Sequence, residues 1–307
     1  MALAIGLIAC SQAEVKAEAS DPVLRPVKIE APVEHIAQVE SAIDHAVDEK
    51  TVIIEKKLEC DGVFKQGGAV LCKTAPHAKI TVDGTATKAD ENGNFVFGLD
   101  RDAPQKTIVK VFDETGQEYV ETLDIALREY DIQRIDGLPP SQVSTFTEEQ
   151  LKHIKASSAR KKVGLSSRSK EMGFRDGFTM AVSGIKSSDF GNQRILNGEP
   201  KRPHYGIDIA APEGTPIYAP ADGVISLADD DLYFEGAMVL IDHGQGLISM
   251  YLHMSDIDVK AGQKVKRGDQ IGAVGAKGRA TGPHLCWRLK WRNRNLDPEL
   301  LTQWPHD

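Results

Sequence analysis

The chain has 307 residues, of which 41% are hydrophobic and 27% charged, with a formal net charge of -8. Single cores stop growing near ~250–300 residues, so this length suits two domains, and the apolar share excludes general disorder. The negative balance repels phosphate backbones, and no basic stripe interleaved with aromatics offsets it, so nucleic acid is excluded as a partner.

Residues 1–10, MALAIGLIAC, are a short apolar run ending in Leu7-Ile8-Ala9-Cys10. This has the form of a bacterial lipobox, in which Cys10 would carry lipid after signal cleavage. The positive n-region is missing, which suggests a start further upstream; an ordinary hydrophobic signal fragment is the competing reading, and both imply export. No stretch reaches the ~18–20 apolar residues of a membrane-spanning helix. In an oxidising compartment the four cysteines sort into Cys10 for lipid, Cys60 with Cys72 as a local disulfide, and Cys286 left over. Three pairings are formally open, and two buried thiols are the alternative to the bridge. Closing so short a loop stabilises by about 3 kcal/mol in the chain-entropy picture.

Residues 11–50 carry Val33, Ile36, Val39, Ile43 and Val47 at spacings of three and four, which predicts a short amphipathic helix on a tether. Residues 51–128 change to β-branched runs: Val52-Ile53-Ile54, Lys79 to Val82, Phe95 to Phe97 and Ile108 to Val111. Asp83-Gly84 and Glu91-Asn92-Gly93 read as hairpin-type turns, so a small β-sandwich is expected here.

Residues 129–175 form a linker and a helix. Gly137-Leu138-Pro139-Pro140 marks an extended connector separating the two modules. Thr147-Glu148-Glu149-Gln150 has capping-box form, Leu151 and Ile154 offer an apolar edge, and Arg160-Lys161-Lys162 suit a helix C-terminus. Residues 176–307 are again strand-like at Phe178 to Val182, Val224 to Leu227, Met238 to Asp242, Leu247 to His253, Gln270 to Val274 and His284 to Trp291. The expected fold is mainly β: an N-terminal sandwich, a helical connector and a C-terminal antiparallel sheet.

Three separated stretches carry chemistry: His204-Tyr205-Gly206-Ile207-Asp208, Tyr251-Leu252-His253, and Gly282-Pro283-His284-Leu285-Cys286-Trp287. Histidines, a carboxylate and a thiol are the donors of a zinc site. On a regular strand His204 and Asp208 would stand ~13 Å apart, too far to share an ion, so a bend is needed and Gly206 can supply it. His284 and Cys286 are two apart, which places both on one strand face at ~7 Å. By contrast, His243, His35 and His306 are expected to be surface or packed residues, and Asp229-Asp230-Asp231 a solvated loop. Lys277, Arg279, Arg288, Lys290, Arg292 and Arg294 crowd the C-terminal part, where an anionic polymer or simply solvent could meet them.

HYGID, YLH and GPHLCW together resemble the lysostaphin or LytM type of peptidoglycan endopeptidase, over roughly residues 176 to 300. Ser188-Asp189-Phe190-Gly191, Ala219 to Val224, Asp242 to Gly246 and Thr281-Gly282-Pro283-His284 extend the resemblance. It implies a β-sheet groove with one zinc ion held by His204, Asp208 and the residue at position 286, and a water positioned and activated by His253 and His284. Peptidoglycan would be the substrate, and the envelope the site of action: periplasmic and membrane-anchored if the lipobox is real, otherwise periplasmic or secreted. The family pattern has histidine where this chain has Cys286. A thiolate is a competent zinc ligand, but two anionic ligands cancel the formal charge of the ion, so lower activity at neutral pH than for a Cys286→His variant is expected. The alternative function is a catalytically weak or inactive regulator that activates other cell-wall hydrolases or works with division proteins.

Overall fold

The computed structural model describes residues 58–113, 116–139 and 146–304, all within one compact unit, Glu55–Asp307. Cys10, the helix expected in 11–50 and the run Val52 to Ile54 lie outside the described residues.

The N-terminal strands are β1 (Glu59–Gly62), β2 (Ala69–Lys73), β3 (Lys79–Val82), β4 (Thr85–Lys88), β5 (Asn94–Gly98), β6 (Lys106–Phe112) and β7 (Glu118–Asp124). They form two antiparallel sheets, β1-β2-β5 and β4-β3-β6-β7. Val70 and Cys72 alternate inward from β2, Ile80 and Val82 from β3, and Val109 and Val111 from β6, all into one apolar cluster. This is the expected sandwich. Cys60 and Cys72 are direct cross-strand partners and are joined by a disulfide. Asp83-Gly84, both at positive φ, close the β3–β4 hairpin as expected. Glu91-Asn92-Gly93 instead carries the chain from β4 in one sheet to β5 in the other, so it is no hairpin.

The connector contains an element that its Gly-Pro composition hides. Strand β8 (Ile132–Ile135) runs parallel to a later strand, Gln193–Leu196. Its four residues are too few to show a period by themselves. After it, α1 (Glu148–Leu165) begins with the predicted capping box: Gln150 N donates to Thr147 Oγ1 at 3.2 Å, and Thr147 N donates to Gln150 Oε1 at 2.9 Å. Of the expected apolar edge, Leu151 remains 52% exposed and Ile154 is half-buried. The buried residues are Ser157 and Gly164, and a Cβ at Gly164 would lie 2.8 Å from Leu240 Cδ1. Arg160 and Lys161, read as C-terminal charge, reach Asp229 and Glu235 on the sheet.

The remaining elements are β9 (Ile185–Ser188), β10 (Gln193–Leu196), β11 (Glu199–Pro200), β12 (Ile207–Ala210), β13 (Pro216–Tyr218), β14 (Gly223–Leu232), β15 (Gly236–Asp242), β16 (Leu247–Ile257), β17 (Lys264–Val265), β18 (Gln270–Val274), β19 (His284–Trp291), β20 (Arg294–Leu296) and the short α2 (Pro298–Leu301). One antiparallel sheet runs β17-β14-β15-β16-β19-β12-β9, with β18 and β20 pairing β16 and β19. Phe178, Ala181 and Val182 are buried, but the stretch Phe178 to Val182 forms no strand, because its amides find partners outside any ladder: Phe178 N donates to Leu301 O and Thr179 N to Pro220 O. Asp229 to Asp231 lie on β14, not in a loop.

Strand β19 sets the two faces of this sheet. Leu285, Trp287, Leu289 and Trp291 point into the main core, while His284, Cys286, Arg288 and Lys290 take the opposite face. Cys286 there joins a smaller cluster with Leu240, Leu252 and Met250. The main core continues without a break from the sandwich into the large sheet. Gly98 is why β5 can approach so closely: a Cβ there would lie 2.6 Å from Leu296 and 2.8 Å from Trp291. Gln245 caps the open edge of β5, accepting from Val96 N at 3.0 Å and donating to Asn94 O at 3.1 Å, and Arg294 donates to the carbonyls of Gly98 and Val82.

Candidate metal centre

The three predicted ligands meet. The donor atoms of His204, Asp208 and Cys286 all lie within 4.8 Å of one another. His204 Nε2 is 3.1 Å from Asp208 Oδ1 and 3.4 Å from Cys286 Sγ. Ligands bound at ~2.0–2.3 Å around a tetrahedral ion stand ~3.3–3.8 Å apart, so the spacing suits zinc. Asp208 Oδ1 is buried and has no hydrogen-bond donor, an arrangement that a cation would satisfy and that is otherwise costly.

Each ligand arrives by a different route. Asp208 on β12 and Cys286 on β19 are directly paired. His204 comes from the irregular stretch before β12, which bends at Gly206 as the spacing required. The glycine is needed for contact, since a Cβ at 206 would sit 2.6 Å from Trp287 O and 2.5 Å from Arg288 Cγ.

The surrounding hydrogen bonds set the protonation of the donors. Ser188 Oγ donates to Gln133 Oε1 at 3.5 Å and lies 3.1 Å from His204 Nδ1, so it accepts from Nδ1–H and leaves the Nε2 lone pair free. Burial lowers the His204 pKa to about 4, which keeps the imidazole neutral. Burial opposes ionisation of Asp208, but the Arg194 guanidinium beside it favours the carboxylate. Arg194 Nη2 donates to Asp208 Oδ2 at 3.1 Å. Burial pushes the free thiol of Cys286 up to about 12, with Arg288 pulling the other way; a bound cation takes the place of that proton.

His253 and His284 stand beside this cluster, their rings 4.9 Å apart. His253 Nδ1 is 2.8 Å from Lys277 O, and His284 Nδ1 is 2.8 Å from Gly282 O. A carbonyl only accepts, so both rings carry hydrogen on Nδ1 and leave Nε2 as the atom turned away from those carbonyls. That of His284 is 3.8 Å from Asp208 Oδ1. Burial lowers the His253 pKa to about 4. His253 also has φ 66°, rare for a residue with a side chain, where β16 shifts register. This aims its ring toward His284.

The centre opens into a groove of about 520 Å³. Gln133, Ile135 and Leu138 from the connector, together with Phe234, Arg279, His253, His284 and Arg288, line it alongside Asp208 and Cys286, while His204 lies buried behind them. The connector is thus part of the site. Gln133 and Arg194 escaped sequence reading because neither belongs to a recognisable motif, and Ser188 was noted only as part of the resemblance, without its contact to His204. Arg288 was accessible to it, since two residues after Cys286 on a strand means the same face. The six basic residues do not form one surface. Arg279 and Arg288 line the groove, Arg294 ties the sandwich to the sheet, and Lys277 donates to Ser255 O. His243 is packed, as expected, between Asp222 O at 2.8 Å and Ser249 Oγ at 2.7 Å.

Peptidase family M23 matches residues 202–298, a segment holding all five predicted site residues. The chain is 47% identical over 113 residues to the peptidoglycan DD-endopeptidase ShyA of Vibrio cholerae, covering 36% of this chain and 26% of ShyA. It is 36% identical over 102 residues to the cell division protein DipM of Caulobacter vibrioides, covering 31% of this chain and 17% of DipM. The chain thus spans about a quarter or less of the length of these curated relatives. A solved structure of a putative peptidase M23 from Pseudomonas aeruginosa is 30% identical, with a TM-score of 0.61, covering 78% of this chain and 95% of that one. As that likeness covers 78% of this chain and nearly the whole of the other at 30% identity, the chain belongs to peptidase family M23.

Proposed function

We propose that this protein is a zinc-dependent endopeptidase that hydrolyses peptide bonds in the stem peptides or cross-links of peptidoglycan, acting in the cell envelope. The observation that carries it is the convergence of His204 Nε2, Asp208 Oδ1 and Cys286 Sγ, with one buried carboxylate oxygen lacking a donor, beside a groove that Asp208 and Cys286 line. The name of ShyA supports the substrate class. Anchoring through a lipid on Cys10, and work alongside other cell-wall hydrolases or division proteins, extend the same proposal.

One zinc ion per chain would be held by His204, Asp208 and Cys286. When bound there, zinc would supply Lewis acidity, enough to polarise a carbonyl and to make a water more acidic. His253 and His284 line the groove, where Nε2 of either ring would accept a proton from the attacking water and return it to the leaving nitrogen. While protonated, the same ring donates to the oxyanion and steadies it. The walls from the connector and Phe234 hold the peptide extended across these groups.

Cys286 favours a second reading, a weak or inactive regulator of other hydrolases. Zinc analysis and peptidoglycan digestion by wild type, His204→Ala, Cys286→Ala and His253→Ala separate the two. His204→Ala should lose both zinc and products, Cys286→Ala should lose them in part, and His253→Ala should keep zinc while product release falls about a hundredfold. Zinc-loaded wild type that releases no peptide would establish the regulator.

A further inference from the structure

Resting on the reading of the centre as a zinc site, we infer that Arg288 is the charge partner of Cys286, so that thiolate and guanidinium act together as one ligand with the charge of an imidazole. Arg288 Nε donates to Cys286 Sγ at 3.3 Å. The two are neighbours on the groove face of β19, and strand geometry keeps residues i and i+2 on one side without any adjustment of the backbone. The stem of Arg288 passes against Gly206, where a Cβ would come within 2.5 Å of its Cγ. The bend that brings His204 to the ion therefore also leaves the space Arg288 occupies.

The arithmetic of charge differs from that of the ligands by themselves. A thiolate and a carboxylate cancel the two charges of zinc, which led to the expectation of lower activity at neutral pH. The thiolate and Arg288 sum to zero, as a neutral histidine does. Asp208 has its own guanidinium in Arg194, at 3.1 Å. Each anionic ligand is thus hydrogen-bonded by an arginine, and the net charge around the ion is restored to that of a site with two histidines and an aspartate whose position 288 is neutral. Hydrogen bonds to a coordinating sulfur lower its electron donation, and loss of such outer partners typically weakens metal affinity by about ten- to a hundredfold. Arg288 is a positioning residue, since it acts through Cys286.

The pairing predicts a dependence that a structural role for Arg288 does not. Zinc affinity is measured by chelator competition for wild type, Arg288→Gln, Cys286→His and the double variant. Arg288→Gln should weaken zinc binding about ten- to a hundredfold in the Cys286 chain, whereas in the Cys286→His chain the same change should leave affinity unchanged or strengthen it, because a neutral ligand gains nothing from a nearby cation. Arg288→Lys should recover part of the loss in the Cys286 chain. The thiolate-to-cobalt charge-transfer band of the cobalt-substituted protein gives a readout apart from affinity: it should be present in wild type, shifted in Arg288→Gln and absent in Cys286→His. Equal losses of zinc affinity in both backgrounds, or a band that Arg288→Gln leaves in place, would overturn the pairing while the zinc site stands. Wild type that binds cobalt with no thiolate band would remove Cys286 from the ligand set and the pairing with it.

Discussion

Asp208 and Cys286 face each other directly across the β12–β19 ladder. Opposed residues in an antiparallel pair have Cβ atoms ~4.5–5.5 Å apart, so strand register by itself brings a carboxylate and a thiol to one ion. His204 has no such support, because it lies in the irregular stretch before β12 and depends on the turn at Gly206.

Gly206→Ala tests that asymmetry. The added methyl would meet the Trp287 carbonyl oxygen and the Arg288 stem, so the bend must open and carry His204 away while Asp208 and Cys286 stay paired. Stability should fall by about 1–3 kcal/mol, and zinc affinity by at least about tenfold. Denaturant melts of the metal-free protein and chelator competition measure the two effects; unchanged zinc affinity would mean the bend tolerates the methyl.

Gln133 tests whether the connector belongs to the centre. Its Oε1 accepts from Arg194 Nε at 3.2 Å and from Ser188 Oγ at 3.5 Å. Gln133→Ala should leave the melting temperature nearly unchanged, because the residue is partly exposed, yet weaken zinc binding several-fold by freeing Arg194 and Ser188 from their orienting acceptor. Titration of the variant with zinc under chelator decides it, wild-type affinity being the result against it.

His243 should make stability depend on pH. Burial lowers its pKa from the ordinary ~6.5 to about 4, against the Asp222 carbonyl and the charges of Asp242 and Asp222. Above ~6.5 neither folded nor unfolded chain holds the proton, and this stability is fully present. As pH falls from ~6.5 toward 4 the unfolded chain takes up a proton that the folded one refuses, so up to about 3 kcal/mol is lost. Unfolding free energies across that window should slope less steeply in His243→Gln than in wild type, and parallel slopes would assign the dependence elsewhere.

The disulfide should stabilise without touching the chemistry. Cys60 and Cys72 close a loop with a sequence separation of 12, which corresponds to about 3 kcal/mol. The Cys60→Ser, Cys72→Ser double variant should melt earlier by that amount while zinc affinity stays at the wild-type value, measured by the same competition. An affinity that falls with the bridge would show the sandwich to be coupled to the centre more tightly than the shared core suggests.

Local chemistry accounts for what was legible in the sequence. The strands Lys79–Val82, Gln270–Val274 and His284–Trp291 coincide with their predicted ranges, since each combines β-branched or alternating residues with flanking turn formers. The capping box of α1 was readable for the same reason: its partners lie three residues apart. Turn formers misled where the turn joins different sheets, as at Glu91-Asn92-Gly93, because the residues of a turn do not say which strands it connects.

The sequence by itself singled out His204, Asp208, His253, His284 and Cys286, because spacing on a strand dictates face, a glycine permits the bend, and the resemblance implies which of them would hold an ion. Only the tertiary structure decided what surrounds those donors. Arg194, Ser188 and Gln133 approach through pairing of β8 with β10 and of β9 with β12, and the docking of α1 rests on Ser157 and Gly164 where an apolar stripe was expected. Such contacts join residues distant along the chain, whose meeting depends on how the whole core packs, and no local pattern records that.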